Sequence, residues 1–153
     1  MPKMTMHART ASTILSAVKS TLSSQGLSDV VVIGHSLGGA IALLDGVFLS
    51  IQLPGARVRV ISYGMPRVGN EAFANFVDSQ LKGDVFHVNN KEDPVPVLPP
   101  IDLGFHHPSG EVHIQDSGEW DLCSGALSVF LRLGMTRLIG PSLTFCATLF
   151  RSG

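Results

Sequence analysis

The chain has 153 residues, 44% of them hydrophobic and 15% charged, with a net charge of -1. That length sets one domain as the expectation and allows a real buried core, and so weak a charge gives no field to draw in nucleic acid or an anionic membrane. Two cysteines, Cys123 and Cys146, can pair with each other or remain buried thiols; alone they define no disulfide framework.

The first 28 residues lack the apolar stretch of a secretory signal. Ala11, Ile14, Leu15, Val18 and Leu22 recur at helical spacing and predict an amphipathic helix over about Thr10 to Ser24, ended by Gly26. Val30-Val31-Val32-Ile33 is short, β-branched and wholly apolar, the pattern of a strand buried on both faces of a parallel sheet. Gly34 to Gly39 reads as a turn, and residues 40–50 as a helix packed under that sheet.

After a break at Pro54-Gly55 a second strand is expected at Val58 to Ser62, then a loop to Gly69. Asn70 can cap the next helix and Glu71 suits its first turn. Phe73, Phe76, Val77 and Leu81 give that helix a buried face and Gly83 a stop. Asp84 to Asn89 reads as a third strand. Five of the nine prolines fall between Pro94 and Pro108, so that stretch is expected as loop, with a short strand near Val112 to Ile114 beyond it. Strands alternating with helices imply right-handed crossovers and a mostly parallel sheet, the α/β class. Residues 122–153 contain no acid and show no clear period, and their longest uncharged run is too short to span a bilayer. They are expected to form a divergent apolar tail on a domain of residues 1–121.

The turn carries the chemistry. A serine hydroxyl is a poor nucleophile near neutral pH and needs a base for its proton and donors for the oxyanion that forms. Gly34-His35-Ser36-Leu37-Gly38 lies between a buried strand and an apolar helix. A sharp bend there exposes the Ser36 hydroxyl at the end of the strand, with glycines where the backbone doubles back, and offers the Leu37 N–H as an oxyanion donor.

The stretch VVVIGHSLGGAIALL resembles the nucleophile segment of fungal class 3 lipases, which include triacylglycerol lipases and feruloyl esterases. Ser62-Tyr63-Gly64-Met65-Pro66-Arg67-Val68-Gly69-Asn70, Asn89-Asn90-Lys91-Glu92-Asp93-Pro94-Val95-Pro96 and Gly104-Phe105-His106-His107-Pro108-Ser109-Gly110-Glu111 resemble the same family in the same order. The resemblance covers about residues 8–123. It implies a partial α/β-hydrolase fold with Ser36 as nucleophile and Asp93 as the acid that orients the base. Asp93 follows the third strand by a few residues, which puts it on the rim where Ser36 is expected. Arg67 is expected to anchor a loop.

Two parts of the family pattern have no counterpart. The resemblance implies a catalytic histidine near the C-terminus, and no histidine follows His113. It also implies an N-terminal half carrying further strands, a lid and the second oxyanion donor. His35 is expected to pack beneath the turn, and His106, His107 and His113 to be ordinary loop or strand residues. The strand at Val30 is then expected at an exposed sheet edge, open to self-association. The function implied is hydrolysis of carboxylic esters such as triacylglycerols, with a lipid or ester substrate, contact with a lipid surface, and no nucleic acid, metal or cofactor. Two rival readings are a fragment inactive for want of its base and a non-catalytic interaction module. The family is commonly secreted; the compartment of this chain is left open.

Overall fold

A computed structural model describes residues 2–123 and 146–149, with side chains described over residues 7–123. Helix α1 (Pro2–Gln25) begins earlier than the periodicity suggests, with Pro2 at the first helical position, where its missing N–H costs nothing. It lies on helix α2 (Leu37–Gln52), where His7 Nδ1 and Asp45 Oδ1 are 2.5 Å apart and the His7 ring meets Phe48 edge-on.

Strands β1 (Asp29–His35) and β2 (Arg57–Tyr63) flank α2 in sequence. Helix α3 (Glu71–Leu81) follows a two-residue strand β3 (Gly69–Asn70) and leads into β4 (Val85–Asn90). Beyond a proline-rich loop come β5 (Phe105–His106), β6 (Glu111–Ile114), β7 (Trp120–Cys123) and β8 (Cys146–Leu149). The main sheet runs β1-β2-β4-β6-β7-β8; its first four strands pair parallel, and β7 pairs antiparallel with both β6 and β8. Gly69 and Asn70 pair antiparallel with β5, tying the loop after β2 to the loop before β6.

The main core lies on one face of this sheet. Ala40, Leu43 and Val47 of α2 meet Val58 and Val60 of β2, Val77 and Leu81 of α3, and Val85 of β4. Gly46 brings α2 close, since a Cβ there would stand 2.2 Å from Val60 Cγ2. Asn70 caps α3 as its sequence suggests, its side chain accepting from the Phe73 N–H at 3.0 Å. A smaller apolar cluster joins Val88, Val112 and Leu122 from β4, β6 and β7.

β1 corrects one expectation and agrees with another. Among the described residues it sits at the sheet edge, as expected of the strand at Val30. It is not buried on both faces: Val30 and Val32 pack against the core, while Val31 is 48% and Ile33 64% exposed. The pattern of a central parallel strand is therefore present in the sequence, but among the described residues only one face of β1 is covered.

Past Asp121, β7 pairs with β8, a pairing that no periodicity announces. Cys123 is disulfide-bonded, and the other cysteine of the sequence, Cys146, stands opposite it in the β7–β8 register. Among the described residues no helix is long and apolar enough to cross a membrane.

Candidate active site

Ser36 occupies the single residue between β1 and α2, with φ 53° and ψ −127°. This left-handed backbone is unfavourable for a residue with a Cβ and persists only when its surroundings over-determine it. They do so here. Its N–H donates to the Tyr63 carbonyl at 2.8 Å, and its carbonyl accepts from Gly39 N at 2.9 Å and Ala40 N at 3.3 Å. The Ser36 hydroxyl is not spent on capping α2.

The sharpness of the bend is set by glycine, but not by the pair the motif suggests. A Cβ on Gly34 would lie 2.3 Å from the Gly38 carbonyl oxygen. A Cβ on Gly39 would lie 3.1 to 3.3 Å from Ser62, Met65 and the Gly34 oxygen. At Gly38 a Cβ would meet open space, so its backbone is what crowds Gly34, and its own missing side chain makes no room. Leu37 opens α2, where first-turn N–H groups have no intrahelical acceptor and point with the helix dipole.

Asp93 stands three residues beyond β4. Its Oδ1 accepts from the Val95 N–H at 2.9 Å, and its own N–H donates to the Asn90 carbonyl at 3.1 Å. The other carboxylate oxygen rests against Gly64, just past β2, which has φ 55° and donates its N–H to the Val88 carbonyl. A Cβ on Gly64 would come within 2.7 Å of Asp93 Oδ2 and 3.9 Å of His35 Nε2. Ser36, Gly64 and Asp93 thus follow three neighbouring parallel strands on one rim of the sheet. The role of Gly64 was not foreseen. Its only sequence signal is a glycine directly after a strand, and the carboxylate it admits lies 29 positions away.

All six histidines of the sequence are described. His7 meets Asp45, His87 Nε2 donates to the Pro108 carbonyl at 3.0 Å, and His107 Nε2 donates to the Pro96 carbonyl at 2.9 Å. His106 sits in β5 and His113 in β6. His35 does not pack beneath the turn: it is exposed, because odd positions of β1 face the uncovered side of the sheet. Among the described residues no histidine ring is hydrogen-bonded to the Ser36 hydroxyl.

Arg67 anchors the proline-rich loop through carbonyls. Nη1 donates to Val97 O at 2.5 Å and Pro99 O at 2.9 Å, and the Arg67 N–H donates to Leu98 O. The anchored loop exposes Val97, Leu98, Ile101 and Leu103, the last by 70%. Leu37 and Tyr63 are also half exposed.

Comparison with known proteins accounts for this arrangement. The family Lipase (class 3) matches residues 3–103. A secreted mono- and diacylglycerol lipase of Malassezia globosa is 42% identical over 127 residues, covering 81% of this chain and 41% of the relative. Secreted mono- and diacylglycerol lipase 1 of Fusarium solani is 36% identical over 151 residues, covering 93% of this chain and 43% of its own, so that likeness runs past Cys123. The chain therefore spans less than half the length of these relatives. Among solved structures, a Rhizomucor miehei lipase in complex with its propeptide superposes with a TM-score of 0.69 at 33% identity, over 75% of this chain and 38% of that one. A triacylglycerol lipase described as having a serine-protease triad at its catalytic centre gives 0.69 at 35% identity, over 74% and 44%. The sheet with its flanking helices is a partial α/β-hydrolase fold, and the chain belongs to the class 3 lipase family.

Proposed function

We propose that this chain is the nucleophile-bearing portion of a lipase that hydrolyses carboxylic esters of lipids through an acyl-enzyme on Ser36. The observation that carries this is the strained bend, which holds one hydroxyl at the strand end beside the start of α2. The Leu37 N–H is one oxyanion donor, positioned by the first turn of α2. Asp93 is the acid that fixes the tautomer of the base and stabilises its cation. The substrate class follows from relatives named as mono- and diacylglycerol lipases. Their being named as secreted supports a secreted chain. The exposed apolar loop at Val97 to Leu103 borders the same rim and suits contact with a lipid surface.

A chimaera tests the assignment. Residues 28–110 replace the matching segment of the Malassezia globosa relative, and diacylglycerol hydrolysis is followed. Activity is expected, with kcat falling about a millionfold on Ser36→Ala and about ten-thousandfold on Asp93→Asn. An active chimaera indifferent to Ser36→Ala would remove the proposal.

A second reading concerns the chain by itself, and the histidine positions favour it. Among the described residues no ring is hydrogen-bonded to the Ser36 hydroxyl, so in this reading the chain by itself has no general base in place. Fluorophosphonate labelling of Ser36 is then expected to be no faster than background labelling of a Ser36→Ala control. Rapid stoichiometric labelling would mean that a base is present after all. Among the described residues one edge of β1 has no partner strand, which adds self-association, because it leaves a row of backbone groups open beside exposed Val31 and Ile33.

A further inference from the structure

Two histidines, His87 buried and His107 half-buried, have no part in that chemistry, yet both grip the loop that begins at Asp93. His87, on β4, is 1% exposed. Its ring stacks on His107 with centroids 4.7 Å apart and planes 16° from parallel. Each ring holds a carbonyl from one end of the loop: His107 holds Pro96, and His87 holds Pro108. A carbonyl oxygen can only accept, so the nitrogen facing it carries the hydrogen in both rings, which fixes both as the Nε2–H tautomer. The remaining nitrogens are then bare lone pairs, and both Nδ1 atoms are buried without a partner.

Such a pair is at ease only when neutral. A proton added to either ring must sit on Nδ1, pointing an N–H at no acceptor, and a second would set two cations in a face-to-face stack. The charged neighbours divide. Arg67, from the loop before α3, opposes a charge on His107, whereas Glu111 of β6 favours one. Asp78 of α3 is occupied by the N–H and hydroxyl of Ser109, and Asp93 accepts from Val95 within the loop itself. Burial is the largest influence on both rings and opposes protonation.

We propose that His87 and His107 form an acid-released clasp, which closes the loop from Pro96 to Pro108 on the sheet and so holds Asp93 against Gly64. Both are positioning residues: neither touches the reacting atoms, and each acts through the loop. The clasp stands on its own geometry. Only its consequence for catalysis rests on the role proposed for Asp93.

The test uses the full chain. Imidazole nitrogen NMR at pH 7.5 is expected to show Nε2–H, Nδ1-bare rings at positions 87 and 107, with free histidine in the same buffer as the external reference. On acidification, both clasp rings should take up protons at lower pH than free histidine does. Over that same window the Val95 and Leu98 amides should lose exchange protection, corrected for intrinsic rate, while amides inside α2 keep theirs. His107→Phe keeps a flat ring for the stack but removes the bond to Pro96 and the charge. It should speed exchange at Val95 and Leu98 about tenfold at pH 7.5 and leave only the pH response that His87 carries. An Nδ1–H tautomer in either ring, or titration of both at the pH of free histidine, overturns the clasp; these two readouts need only the wild-type chain and decide the matter even where His107→Phe fails to fold. In the chimaera, His107→Phe is expected to lower kcat more than it changes KM. If the loop amides respond while chimaera activity does not, the clasp stands and the role of Asp93 falls.

Discussion

At the scale of single residues, the bend around Ser36 separates two glycines that look equivalent in the motif. A Cβ on Gly34 would run into the peptide unit joining Gly38 and Gly39, and backbone cannot swing aside as a side-chain tip can. Gly34→Ala should therefore cost upwards of about 3 kcal/mol in chemical denaturation, at or beyond the usual range for overpacking. Gly38 lies in the first turn of α2 and faces open space. Gly38→Ala should be neutral or stabilise by up to about 1 kcal/mol, the helix-propensity difference between the two residues. Equal losses at both positions would show that the motif works by some rule other than close backbone approach. The glycine pattern was legible because a tight turn needs it, but which glycine makes the room was not. That depends on which carbonyl faces which Cα, a matter of three dimensions. Gly64 was hidden for the same reason, since its need for φ 55° and an absent Cβ comes from Asp93, far along the chain.

At the scale of elements, legibility followed locality. Helix α3 was visible from both ends because its signals are local: Asn70 accepts from Phe73 three residues on, and Lys82 and Gly83 adopt positive φ to end it. Removing that cap with Asn70→Ala should cost about 1 kcal/mol in a urea titration. β7 and β8 left no comparable trace. Each is four residues long, too short to establish an alternation, and their partnership spans a 22-residue gap in the sequence. β3 and β5, two residues each, are legible only as a pair. β1 misled in a more useful way. Its four consecutive apolar residues do specify a covered strand, yet Val31 and Ile33 are uncovered. A strand in that state should associate. Light scattering after size exclusion is expected to show concentration-dependent species for the wild-type chain. Ile33→Lys, which puts a charge on the exposed face without touching the core, should shift them toward monomer. A wild-type chain that elutes as a monomer at every concentration would mean that the edge is blocked.

At the scale of the whole molecule, the stacked histidines make folding stability depend on pH, with a sign that can be worked out. The unfolded chain offers His87 an ordinary pKa of 6.5, and burial in the folded state pushes it down to about 3. Above pH 6.5 neither state binds the proton, and the stability of the neutral, buried ring is fully present. As pH falls below 6.5 the unfolded chain takes up a proton that the folded chain refuses. Stability then drops by about 1.4 kcal/mol per pH unit from this one group, until the folded ring protonates near pH 3. His107, lowered chiefly by its own burial, adds to the slope over the upper part of the same window. Asp84 contributes in a different range. The hydrogen bond from Arg57 holds its carboxyl below the ordinary carboxylate value of 3.8, so its share is lost only as pH falls beneath that. Between pH 6 and pH 4 the loss therefore belongs to histidine. Urea midpoints at pH 7.5, 6, 5 and 4 should fall steadily at constant m-value. His107→Phe should flatten the upper part of that fall and leave the contribution of His87. A midpoint that stays level down to pH 4 would place His87 in contact with water and take the buried pair away.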